Sequence, residues 1–364
     1  MNQKIVILVL ALLMLSGLAV GCADNQPTTP AVDATESAAI SEESGAKGGS
    51  DPAETVAKSK NFEVAWIYMG ASTESALRCY DGFTAYIANG NLDWKVIEMD
   101  SEGSTDKLAT NIEDAVSKGV DMIICTMADL RSCSAALETV KAAGIPILSI
   151  DSGYTEGLIC DITCNNYVMS SKVSAYLIDS LGGSGNICTL TFVDHQPCRI
   201  RGEIFNVVAG ESPGIKVLDD HVIDYTNFYA DCQRTVEDWI SRYGDDLDAI
   251  WCAWDEPAIA ASDVLKAAGK NNIKIIGIDG NDTAIGKIRD ENDPMIATVA
   301  QPFELIGRRA AQVAESYVIE GGAWEDVVGS STIYVDAPLI TGANVPAEGT
   351  PAYSVTDFYS MNLG

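Results

Sequence analysis

The chain opens with a short positive segment, Met1 to Lys4, followed by an apolar run over residues 5–20 that only Ser16 and Gly17 soften. A run this short, flanked by small residues, predicts an export signal over residues 1–21 rather than a membrane span. Residues 23–60 then hold Ala, Ser, Thr, Glu, Gly and Pro with almost no large apolar side chain. Such a stretch cannot bury enough surface to offset its ordering entropy, so residues 22–60 are expected to form a flexible stalk. From Phe62 the pattern changes, and short β-rich runs at 64–69, 94–99, 122–125 and 147–150 alternate with amphipathic segments. The alternation restarts after Gly182-Gly183-Ser184-Gly185, with runs at 186–193, 215–222, 249–253 and 274–278. Repeated βα units predict parallel sheets, and two successive arrays predict an α/β fold of two similar doubly wound lobes joined by a multi-crossing hinge. Residues 165–181 read as the first helix after the first crossing, 297–301 as a second crossing, and 303–319 as a long helix. This places 61–164 plus 301–330 in an N-terminal lobe, 165–300 plus 331–345 in a C-terminal lobe, and 346–364 in a tail.

Charge narrows the partners. A formal net charge of −29 repels nucleic acid and anionic membrane alike, so nucleic acid is not expected as a partner. Of the ten cysteines, Cys22 closes the sequence Leu18-Ala19-Val20-Gly21-Cys22, which resembles a bacterial lipobox. That resemblance implies lipidation of Cys22 and an extracytoplasmic protein anchored to the bacterial cell membrane. The other cysteines are scattered through apolar segments, where a thiol behaves as a small hydrophobe, so buried free thiols are expected. The only histidines are His195 and His221. Neither stands with a nucleophile elbow, a phosphate loop or a metal-ligand set, so no catalytic residue, metal or cofactor is expected.

In open parallel sheets, ligands bind beyond the carboxyl ends of the strands. Those positions are polar here: Gly70 with Ser72 and Thr73, then Asp100, Thr126 and Asp151, and in the second array Asp194, Asp224 with Tyr225, Trp254 with Asp255, and Asp279. Any single Asp or Ser among them could serve only as a helix N-cap.

Five ordered motifs carry a family resemblance: Gly144-Ile145-Pro146-Ile147 leading into Ile150-Asp151; Arg199-Ile200-Arg201-Gly202; Trp254-Asp255-Glu256-Pro257-Ala258; Ile276-Gly277-Ile278-Asp279-Gly280; and Ala297-Thr298-Val299-Ala300-Gln301-Pro302. In this order the chain resembles the ribose- and galactose-type periplasmic binding proteins, the type 1 solute receptors of ABC importers, over residues 62–340. The resemblance implies that Asp151 accepts from sugar hydroxyls, that Arg201 donates to ring or hydroxyl oxygens, that Asp279 is the second lobe's acceptor, and that Gln301 touches ligand and hinge. Carboxylates that only accept and a guanidinium that only donates together match hydroxyls, which do both. Thr126 and Trp254 fall where relatives carry Asn, and Trp254 offers a stacking face. Phe228 or Tyr229 is the aromatic expected before the second helix of the second lobe. The first loop, with Ser72 and Thr73, lacks the family's aromatics. The implied function is capture of a small polar ligand, a sugar or sugar-like molecule, by a monomer that delivers it to an ABC permease and ATPase. A nucleoside or signalling furanose, or a sensor role without transport, is the alternative.

Overall fold

The computed structural model describes residues 61–353; the export signal 1–21, Cys22, the stalk 22–60 and residues 354–364 lie outside the described residues. The first lobe is built on strands β1 (Phe62–Tyr68), β2 (Trp94–Asp100), β3 (Met122–Thr126), β4 (Ile147–Ile150) and β5 (Asp161–Cys164). Between them run helices α1 (Glu74–Asn89), α2 (Thr105–Lys118) and α3 (Ser134–Ala143). In β1, Val64, Ala65, Trp66 and Ile67 are completely buried. Burial on both faces is what a parallel sheet covered by helices demands. Helix α2 shows how local chemistry sets an element. Ser104 caps its start by accepting from the Lys107 amide, Leu108, Ile112 and Ala115 form its buried stripe, and Gly119 ends it in the left-handed region.

The second lobe holds α4 (Asn166–Ser180), β6 (Ser184–Thr191), α5 (Gln196–Gly210), β7 (Gly214–Val222), α6 (Phe228–Tyr243), β8 (Ala249–Cys252), α7 (Asp255–Ala267), β9 (Lys274–Ile276), α8 (Asp282–Arg289) and β10 (Met295–Val299). The chain then returns through α9 (Phe303–Val313), which continues as a π-helical turn over Ala314–Ile319, followed by α10 (Trp324–Val327), β11 (Thr332–Val335) and β12 (Leu339–Thr341).

The first sheet has the order β11-β5-β4-β3-β1-β2 and the second β12-β10-β9-β8-β6-β7. Each strand order reverses beside its first strand, which opens a crevice between β1 and β3 and another between β6 and β8. Two features depart from the expectation drawn from the sequence. Residues 331–345 are not one unit of the C-terminal lobe: β11 pairs in parallel with β5 of the first sheet, and only β12 joins the second, antiparallel to β10. The crossing expected at 297–301 is largely strand, because β10 pairs with β9 and β12, and the chain leaves the second lobe at Gln301 and Pro302. The tail runs back over the hinge. Arg289 of the second lobe donates to the Pro346 carbonyl at 3.1 Å, and Arg78 of the first donates to the Tyr353 hydroxyl at 2.9 Å.

Candidate functional site

A cavity of about 450 Å³ lies between the lobes where the strand ends face one another. Its charged floor is one connected group. Arg201, in the first turns of α5, is 1 % exposed and places Nη2 3.3 Å from Asp151 Oδ2 and Nη1 3.5 Å from Asp279 Oδ1. Its Nε donates to Asn166 Oδ1 at 2.7 Å and Nη1 to the Ala253 carbonyl at 3.1 Å. Burial by itself would lower the basicity of Arg201, and the facing Cys198, Asp151 and Asp279 outweigh it and hold the guanidinium above its ordinary range. The second oxygen of Asp151 accepts from Thr163 Oγ1 at 2.6 Å. Asp279 Oδ1 accepts from Gln301 Nε2 at 2.8 Å. Burial, reinforced by Glu256 and Asp255 and opposed by Arg201, pushes the Asp279 carboxyl well above the usual carboxylate range. Both aspartates sit at positive φ, 44° for Asp151 and 143° for Asp279. Conformations this costly persist only where the surrounding structure holds them.

Contacts between the lobes close the cavity. His195 Nε2 lies 2.6 Å from the Asp151 carbonyl, and its Nδ1 lies 3.3 Å from Cys198 Sγ. A carbonyl only accepts, so Nε2 carries the proton and Nδ1 accepts from the thiol. Burial lowers the imidazole's affinity for a second proton, in keeping with this neutral tautomer. Across the cleft, Glu74 Oε1 accepts from the Asp282 amide at 2.8 Å. The Tyr225 ring reaches over to Gly70 and Gly103. A Cβ at Gly70 would lie 2.9 Å from the Tyr225 hydroxyl oxygen and one at Gly103 2.9 Å from its ring, so the pair forms the notch that receives this side chain.

Of the nine residues expected to bind ligand, Thr73, Asp151, Arg201, Trp254 and Asp279 line the cavity and four do not, while the strand-end residues Asp194, Asp224 and Tyr225 line it as well. Ser72 is exposed on the loop before α1. Thr126 is fully buried within the strand, its Oγ1 without a hydrogen-bond partner, because strand alternation turns it inward and leaves the next residue, Met127, at the cavity. Gln301 is completely buried behind Asp279 and orients it. Phe228 stands behind the wall, its ring 6.0 Å from Trp254 and 6.1 Å from Tyr225. The ring that faces the cavity is Tyr225, presented by the short 3₁₀ turn Tyr225–Asn227 that precedes α6. Tyr229 is directed elsewhere and donates to Asp263 Oδ2 at 2.6 Å. Phe192 completes the wall, stacked on Tyr225 at 5.3 Å and tilted 60° to Trp254. The methionines Met69 and Met127 face the cavity from the first lobe. Reading the sequence missed them: the run expected at 64–69 ends on Met69, and Met127 lies two residues past the run expected at 122–125, whereas in the structure each directly follows its strand, β1 or β3.

Comparison with known proteins agrees with this architecture. The family model described as "Periplasmic binding protein domain" matches residues 64–322. The chain is 29 % identical over 223 residues to the ribose import binding protein of Bacillus subtilis, covering 61 % of this chain and 70 % of that one. It is 26 % identical over 268 residues to the xylitol-binding protein of Mycolicibacterium smegmatis, with 73 % of each covered. An ABC transporter solute-binding protein from Agrobacterium vitis, solved with bound allitol, is similar at a TM-score of 0.72 and 25 % identity, covering 79 % of this chain and 97 % of that one. Two parallel-sheet lobes with a cavity at their facing strand ends, together with a family match over most of the chain, make this protein a member of the periplasmic binding protein domain family.

Proposed function

We propose that this protein is an extracytoplasmic receptor that captures a sugar or polyol between its lobes and delivers it to an ABC permease and ATPase. The observation that carries the reading is the buried Asp151–Arg201–Asp279 group on the cavity floor, which spans both lobes. Its acceptors and donors are held rigidly by Thr163, Asn166 and Gln301, so they meet ligand hydroxyls without further ordering. A ligand that bridges the lobes favours the closed arrangement because only there does it touch both. The names of the relatives, ribose, xylitol and allitol among them, support a hydroxyl-rich ligand. Anionic ligands are disfavoured: Asp129, Asp151, Asp194, Asp224 and Asp279 line the cavity against Arg199 and Arg201.

The ligand leaves unchanged in this reading, since His195 is committed to the Asp151 carbonyl and to Cys198 and has no free nitrogen to act as a base. Anchoring through a lipidated Cys22 and a monomeric state complete the proposal. Isothermal titration of the full chain against pentoses, hexoses and polyols tests it. Asp151→Asn should weaken a hit by roughly tenfold to a hundredfold, the worth of a charge-assisted hydrogen bond. A hit whose affinity is unchanged by Asp151→Asn and by Asp279→Asn would sink the assignment of the pocket.

A further inference from the structure

The two walls of the cavity differ in kind. The second lobe supplies rings, Phe192, Tyr225 and Trp254, whereas the strand ends at the centre of the first lobe supply thioethers. Met69 and Met127 are the next pair beyond the aligned residues Tyr68 and Thr126, and the Met69 amide donates to the Thr126 carbonyl at 3.1 Å. They therefore stand side by side at the crevice of the first sheet. The Ser75 hydroxyl donates to Met127 Sδ at 3.7 Å, and the Met127 amide donates to the Ile150 carbonyl at 2.8 Å, which together fix this side chain. A thioether is a weak acceptor and donates nothing. A ligand hydroxyl pressed against it would lose water without a replacement partner. An apolar or sulfur-bearing group gains dispersion contact there and against the opposing rings.

We infer that the ligand carries, beside the hydroxyls held by Asp151, Arg201 and Asp279, one apolar arm seated between Met69 and Met127 and the ring wall of the second lobe. The inference rests on the binding reading above and narrows its ligand class to a substituted pentose or polyol, the arm being an alkyl or alkylthio group or a heterocycle.

The test is titration of the full chain with a parent pentose, the same pentose bearing an alkylthio arm, and a nucleoside. The arm-bearing pentose should bind about tenfold tighter than the parent, the worth of one or two buried methylene-sized groups. Met127→Gln and Met69→Gln should each reduce that preference, read as the ratio of the two affinities within one variant, and Met127→Leu, which keeps the surface apolar, should retain it. Tighter binding of the nucleoside than of the alkylthio pentose, lost in the glutamine variants, would support the inference with a heterocycle as the arm. Parent pentoses or polyols binding as tightly as any arm-bearing ligand would overturn it and leave the sugar-receptor reading standing. A preference that survives both glutamine variants would likewise overturn it. Failure of every compound to bind would overturn both.

Discussion

Arg201 pairs with two buried carboxyl groups at once, Asp151 and Asp279. Replacing it with Met leaves Asp151 buried beside no cation. The expected cost is about 3–5 kcal/mol, read as a lower urea midpoint at pH 7. Asp161 predicts a pH dependence. It accepts from Ser149 Oγ at 2.6 Å and from the amides of Ser152 and Gly153, yet burial outweighs these bonds and raises its carboxyl to about 7. Burial likewise pushes Asp255 and Glu256 upward. A carboxyl raised in the folded state binds its proton more tightly there than in the unfolded chain. Its stabilisation is complete below the unfolded value of about 4 and is lost as pH rises toward about 7. His195, lowered by burial, acts oppositely and gains stability as pH rises through the unfolded value of about 6.5. Four carboxyls, Asp279 of the cavity floor among them, against one imidazole predict that unfolding free energy falls between about pH 4.5 and 7.5, measured by denaturant titration at several pH values. A rise over that interval would refute the ordering.

Between elements, close approach decides the outcome. The turn Tyr225–Asn227 seats its tyrosine against the first lobe, where a Cβ on Gly70 would lie 2.9 Å from the Tyr225 hydroxyl oxygen but 3.5 Å from the nearest ring carbon. Gly70→Ala should therefore disfavour closure by about 1 kcal/mol or more, seen as weaker ligand binding at nearly unchanged thermal stability of the free protein. Adding Tyr225→Phe removes the clashing oxygen and should recover part of that loss in a double-mutant cycle. Helices α1 and α9 pack equally tightly: a Cβ on Gly307 would fall 1.8 Å from the Cys79 carbonyl oxygen. Gly307→Ala must separate two helices, and a lower melting temperature of the first lobe is the expected reading.

Over the whole molecule, the nine cysteines from Cys79 to Cys252 are free and buried. Burial raises Cys160, Cys188, Cys198 and Cys232 to about 12, so little reactive thiolate forms at neutral pH. Thiol titration of the native chain should find these nine unreactive, and denaturant should expose all of them. What the sequence by itself determined is what local pattern encodes. Alternating βα units announced two parallel-sheet lobes, and the residues that end strands announced Asp151, Trp254 and Asp279, because strand ends face the crevice whatever the ligand; Arg201 came only from the family resemblance. What only the tertiary structure decided depends on segments far apart in the chain. The parallel pairing of β11 with β5 divides residues 331–345 between the sheets, since a four-residue strand carries no signal of which partner it will find. Tyr225, and not Phe228, reaches the cavity because a 3₁₀ turn, invisible to helical periodicity, rotates it there. Met69 and Met127 become a wall only because β1 and β3 are neighbours, a choice made by sheet order and not by any property of the two methionines.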